Sequence, residues 1–262
     1  RGLKAAGIGH GGEVQQVGGV ERACWHGGAA VDSCQFCTTE VVGRGYFAPP
    51  QLPTVGAMFH RRLKGHAMKT LVNVFHPRLD QSTVNRRWAE HMAHQPGVTV
   101  RHLDALYPDR AIDVPAEQAV LLAHDRIVFQ HPLFWYSVPP LMKQWLDDVL
   151  TYGWAYGPGG TALAGKEWLS AISTGGPADA YVAGGYNTYW MSELLKPLQQ
   201  TANLIGMKFL PPFVWHGAVR ATPEALAEGV EAYARHALDP LLDPQKRLAG
   251  LLKQMEEEHV AL

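Results

Sequence analysis

From Met68 onward the chain alternates between runs that read as buried strands and runs that read as amphipathic helices. No other feature constrains its fold as strongly. KTLVNVFH (69–76) is apolar and β-branched, which suits a strand covered on both faces. Residues 82–94 carry a helical period, with Ser82 as the capping candidate. A second strand over 98–106 and a helix over 115–125 opening on Pro115 follow. Next come a strand over 126–132 and a helix after Pro139 and Pro140. A fourth strand covers 166–176, and a helix over 190–206 is kinked or adjusted at Pro197. A fifth strand (207–217) and a last long helix (222–238) complete the series. Strand and helix in strict succession imply parallel pairing, because each crossover helix returns the chain to the same end of the sheet. The expected architecture is α/β: a doubly wound, five-stranded parallel sheet with helices on both faces; the pattern alone does not give the strand order, and 2-1-3-4-5 is the natural choice at this size.

Residues 1–67 lack this order. They are glycine-rich, then punctuated by proline and glycine, and end in a basic cluster. They read as a disordered extension, or as sequence upstream of the true start, with Met68 a plausible first residue; 68–262 form the folded domain. Cys24, Cys34 and Cys37 are the only cysteines, so no disulfide framework holds the main domain. CQFC (34–37), with His26 nearby, has the spacing of half a zinc site or a redox pair. No second pair completes a zinc site, and TTEVVG does not open a redox helix, so no metal is expected. His91 and His94 share a helix face, without a carboxylate or cysteine suggested beside them; a solvated face is the better reading. Net charge is -1, which speaks against a general nucleic-acid binder. No apolar run is long enough to span a bilayer, and a cytoplasmic protein is the expectation. The terminal LLKQMEEEHVAL reads as a frayed charged end or a short helix at a dimer contact.

Open α/β sheets bind ligands beyond the carboxyl ends of their strands. Three loops fall there. HPRLDQSTVN offers His76, the Ser82 and Thr83 hydroxyls, the Asn85 amide and the free N–H groups of a helix start, which suit a phosphate; plain capping by Ser82 is the alternative. LFWYSVPP holds Leu133, Phe134, Trp135 and Tyr136 before two prolines that limit backbone freedom. These residues make a flat amphipathic wall whose backbone N–H groups address a heterocycle, or else they fill core or an interface. STGGPADAYVAGGYN places Gly175 and Gly176 where a ligand can approach the backbone closely, although glycines also end strands for structural reasons.

The motifs HP…STVN, QHPLFWYSVPPLMKQWLDDVLTYGWAYGPGGTALAGK, STGG and LKPLQQTANLIGMKFLPPFVWHG, together with the pattern from Met68 to Leu238, resemble the flavodoxin-like FMN quinone reductases. The resemblance is nearest to the ancillary proteins of glutathione-regulated potassium-efflux antiporters. It implies non-covalent FMN, with His76, Ser82, Thr83, Val84 and Asn85 around phosphate and ribityl. Leu133, Phe134, Trp135 and Tyr136, with Ser173, Thr174, Gly175 and Gly176, would flank the isoalloxazine. It further implies a homodimer with sites at the subunit interface, two-electron ping-pong reduction of quinones by NADPH or NADH, and docking to the cytoplasmic face of a membrane antiporter. Animal relatives pair a tyrosine with a histidine six residues on; here Tyr181 is followed by Asn187, which cannot shuttle a proton. Tyr181 then either donates a hydrogen bond to the quinone or simply packs, while backbone N–H groups near Gly175 and Gly176 would stabilise the anionic reduced ring.

Overall fold

The computed structural model describes residues 68–260. The readings of CQFC, of His26 and of the 1–67 extension lie outside those residues. Six strands form one parallel sheet: β1 (Thr70–Val74), β2 (Val98–His102), β3 (Arg126–Pro132), β4 (Glu167–Ser173), β5 (Lys208–Phe209) and β6 (Phe213–Trp215). The order is β2-β1-β3-β4-β5, with β6 also on β4.

The expected fifth strand is thus broken in two. β5 pairs with the start of β4 and β6 with its end. Pro211 and Pro212 lie between them and have no N–H for the ladder, so pairing stops there and resumes at Phe213. The expected second strand is also shorter. It ends at His102, and Leu103–Leu106 turn into a short helix.

Among the described residues eight α-helices accompany the sheet: α1 (Thr83–Ala93), α2 (Leu103–Leu106), α3 (Val114–Leu122), α4 (Pro140–Val149), α5 (Met191–Leu194), α6 (Lys196–Leu204), α7 (Pro223–Leu238) and α8 (Pro244–Val260). The helix expected over 190–206 is two helices meeting at Leu195, because Pro197 is best tolerated in a first turn and starts α6. Ser82, Asp113 and Thr222 each cap a helix by accepting an amide with the side chain. The charged C-terminal run belongs to α8. Among the described residues no helix is long and apolar enough to cross a membrane.

Alternation along the strands sends side chains to two cores. On one face Leu71, Phe75, Ile127 and Phe129 meet α4 through Met142, Trp145 and Val149, and Phe129 stacks on Trp168 at 4.1 Å. On the other, Val72, Val74 and Val128 meet Trp88 of α1 and Tyr233 of α7. α7 needs a glycine there. A Cβ on Gly229 would lie 1.1 Å from the Trp215 ring, so Trp215 packs flat on the helix only because that position is bare.

Charge is buried at the amino ends of the strands. Arg126, fully buried, bonds Glu167 at 2.8 Å and donates to the carbonyls of Ala237 and Asp239 at the end of α7. Lys246 of α8 reaches the same Glu167. A second buried carboxylate lies elsewhere: Glu117 of α3 takes two bonds from Arg101, near the carboxyl end of β2, one from Tyr107 and one from Trp145.

Candidate functional site

At the carboxyl end of the sheet the three loops are bonded to one another. Asn85 of α1 donates to Ser173 Oγ at 2.8 Å, and Leu133 N donates to Ser173 O at 2.8 Å. The His76 ring meets Phe134 edge-on at 6.3 Å. Tyr136 donates its hydroxyl to Asn187 Oδ1 at 3.1 Å. Ser173 is therefore the joint on which the loops after β1, β3 and β4 converge.

The aromatic stretch after β3 is a tight hairpin. Phe134 and Ser137 exchange both backbone bonds, at 3.1 and 2.9 Å, with Trp135 and Tyr136 at the tip. Both tip residues have positive φ, 48° and 61°. Two-residue hairpins of this kind normally carry Asn-Gly, because a bulky side chain there costs about 1–3 kcal/mol per residue. The strain exposes rings instead of burying them: Trp135 is 92% exposed. Among the described residues neither ring fills the core: Trp135 stands almost free and Tyr136 is about half exposed. One expectation is corrected. Of the four amides in 133–136, Leu133 and Phe134 are spent on Ser173 and Ser137, so only those of Trp135 and Tyr136 remain to address a ligand.

A crevice of about 730 Å³ opens between this hairpin and the loop after β4. Leu133, Trp135, Tyr136, Gly175 and Gly176 line one part of it; Asp179, Tyr181, Tyr186 and Asn187 line the rest. The amides of Gly175 and Gly176 have no acceptor among the described residues. A Cβ at Gly176 would press on the Tyr181 ring at 3.3 Å, so a side chain there would have to displace that ring slightly. Tyr181 is nearly buried, packs on the His216 ring at 5.3 Å, and has no hydrogen bond on its hydroxyl among the described residues.

The remaining candidates divide by direction. Ser173 and Thr174 are buried and their hydroxyls are engaged inside; Thr174 donates to Gly176 O at 2.8 Å. That leaves His216 Nδ1, 3.1 Å from the same Thr174 oxygen, as donor, so neutral His216 carries its proton there. Asn85 is buried; its amide N–H bonds Ser82 Oγ and its side chain braces Ser173, so it is not the free amide expected of a phosphate contact. Val84 has its side chain in the core and offers only its N–H. Thr83 stands exposed at the start of α1, where its amide and that of Val84 have no intrahelical acceptor.

His76, half-buried, is oriented by its neighbours. Its amide donates to Asp104 Oδ2 at 2.8 Å, and its Nδ1 accepts from Arg78 N at 3.1 Å. The ring proton of neutral His76 therefore sits on Nε2, free to donate to a ligand. Burial holds its pKa below the usual histidine value, against the opposing pull of Asp104.

Asp179, Tyr186 and His216 were not singled out from the sequence. Asp179 and Tyr186 lie inside the quoted glycine-bearing stretch, and an acid between a proline and a glycine turn is a visible signal. His216 sits at the end of β6, and nothing local marks its contact with Tyr181, because that contact joins segments far apart in sequence.

Comparison with known proteins shows the family. The flavodoxin-like fold matches residues 68–237. An uncharacterised NAD(P)H oxidoreductase of Bacillus subtilis is 51% identical over 189 residues, 72% of this chain and 96% of that protein. The glutathione-regulated potassium-efflux system ancillary protein KefG of Salmonella paratyphi B is 44% identical over 66% of this chain and 94% of its own length. Among solved structures, general stress protein 14 of Treponema denticola in complex with FMN is 41% identical, with TM-score 0.60 over 63% of this chain and 95% of that one. An NADPH-quinone reductase from P. pentosaceus is 35% identical, with TM-score 0.60 over 65% and 98%.

Proposed function

The chain belongs to the flavodoxin-like fold family, and from that premise we propose that it is an FMN-dependent NAD(P)H:quinone oxidoreductase. The observation that carries this reading is the strained aromatic hairpin facing unpaired amides across a crevice. Left-handed Trp135 and Tyr136 cost stability, and exposure of their rings makes sense when a flat ligand lies against them.

The groups present fit FMN. His76 Nε2–H, the Thr83 hydroxyl and the Thr83 and Val84 amides would hold the phosphate. Ser82 supports them as the helix cap, and Asn85 as a brace rather than a contact. Leu133, Phe134, Trp135, Tyr136, Gly175 and Gly176 would flank the ring, with Ser173 and Thr174 fixing the backbone beneath. When bound, FMN supplies two-electron hydride relay between a nicotinamide donor and a quinone. The chain's part is orientation and electrostatics. Gly175 and Gly176 amides aim at developing negative charge, and Tyr181 offers an unpaired hydroxyl to the quinone oxygen. Asn187 holds Tyr136 and moves no proton. One crevice serving donor and acceptor in turn gives ping-pong kinetics. Purified protein is expected to be yellow and to oxidise NADPH with a quinone; colourless protein that refuses added FMN overturns the reading.

Similarity to the potassium-efflux ancillary protein favours a second role: contact with an antiporter at the cytoplasmic face of a membrane. Deleting the gene and measuring potassium efflux after electrophile stress tests it, and unchanged efflux counts against it. A homodimer is part of the same reading, checked by sedimentation.

A further inference from the structure

The part of the crevice left to substrate has a charge bias. Among its lining residues only Asp179 bears a formal charge. Asp179 is exposed and its side chain makes no hydrogen bond or ion pair among the described residues, so no direct partner neutralises the charge it brings to the crevice wall. Asp179 lies in a short 3₁₀ turn (Ala178–Ala180) whose place is fixed. Asn187 N donates to Ala180 O at 2.8 Å, and a Cβ on Gly185 would fall 2.4 Å from Asp179 O. The Gly184–Gly185 turn therefore lies flat against this backbone, and Asp179 and Tyr186 share one wall. Tyr186, like Trp135 on the other rim, is 92% exposed. Aromatic faces carry partial negative charge and attract cations. Carboxylate and ring faces thus bias the crevice the same way, and the opposing Gly175 and Gly176 amides would be taken up by the flavin on the reading above.

We infer that this crevice selects flat aromatic electron acceptors that are neutral or cationic and discriminates against anionic ones, with Asp179 as the specificity-determining residue. The inference rests on the oxidoreductase reading and names its substrate class. FMN-loaded protein and Asp179→Asn are compared with 1,4-naphthoquinone, its 2-sulfonate and methylene blue, at low and at physiological salt. The variant should raise kcat/KM for the sulfonate, relative to the neutral quinone, by about three- to tenfold, and lower that for methylene blue by a similar factor. Both changes should shrink with added salt, and Asp179→Glu should keep the wild-type ranking. Ratios that do not move, or move together, overturn the inference. The same three compounds are titrated against tryptophan fluorescence, where Kd should follow the same charge order and shift with Asp179→Asn. Absence of turnover with every acceptor would sink the oxidoreductase reading, while the order of Kd values would still decide the inference.

Discussion

At the amino ends of β3 and β4, Arg126 and Glu167 are buried against each other and against the end of α7. At the carboxyl ends of the same strands, Trp135 and Tyr136 stand exposed on a strained turn, and the Gly175 and Gly176 amides are unpaired. In these two strands one end hides charges and satisfies them, while the other shows apolar rings and leaves donors free. Burial of an ion pair is tolerable only when every hydrogen-bonding group is met, as Arg126 is by three acceptors. Exposure of rings and free amides is tolerable because water meets them until a ligand does. The contrast assigns stability to one end of the sheet and binding to the other.

The largest effect expected from breaking this division is at the ion pair. Arg126→Met leaves Glu167 near-buried with Lys246 alone, and should cost about 3–5 kcal/mol in urea unfolding. FMN affinity of the folded fraction should stay within a few-fold; a parallel loss of both would erase the contrast. Next comes acid. Burial pushes His131 down to about 4, and its Nε2 has no partner among the described residues. A base depressed in the folded state resists protonation that the unfolded chain accepts. Stability is therefore complete above pH 6.5 and falls as pH drops towards 4, by up to about 3 kcal/mol. His131→Met should flatten that slope, read by denaturation midpoints between pH 7 and 4.

A smaller effect of opposite sign belongs to the binding end. Replacing Trp135 and Tyr136 together by Asn and Gly suits the turn and should stabilise the apoprotein by about 1–2 kcal/mol. FMN binding should weaken at least about tenfold, since both rings leave the wall. A protein that gains stability and keeps its affinity would show that the strain serves no ligand. Smallest is Tyr136→Phe, which removes an exposed bond to Asn187 and should change stability by less than about 1 kcal/mol.

These two ends were not equally legible in the sequence. The β3 run RIVFQHP is found with its expected bounds, because its β-branched and aromatic centre, Ile127, Val128 and Phe129, lies between turn signals and suits a strand. The βα succession announced a parallel sheet but not its order; 2-1-3-4-5 is the natural choice at this size, and the sheet has it. The fifth strand was read whole because LPPFVW is apolar throughout; only the missing N–H groups of Pro211 and Pro212 divide it. At the site, loop positions were readable and side-chain directions were not. Asn85 and Thr83 sit two residues apart, yet one turns inward and the other outward with the helical period. The left-handed turn at Trp135 and Tyr136 runs against the preference of both residues, so no local rule announces it. The buried ion pair is equally silent, since Arg126 and Glu167 meet only once the strands are in register.

The broken strand at the sheet edge carries one more consequence. An intact edge offers a continuous row of donors and acceptors on which strands of other molecules can add, the route by which sheets polymerise. Here that edge is β5 and β6, two and three residues long, parted by Pro211 and Pro212. A strand arriving from another molecule meets an interrupted ladder and has no run long enough to hold register. Replacing both prolines by threonine would join the two pieces, and with them would come a greater tendency to aggregate on heating.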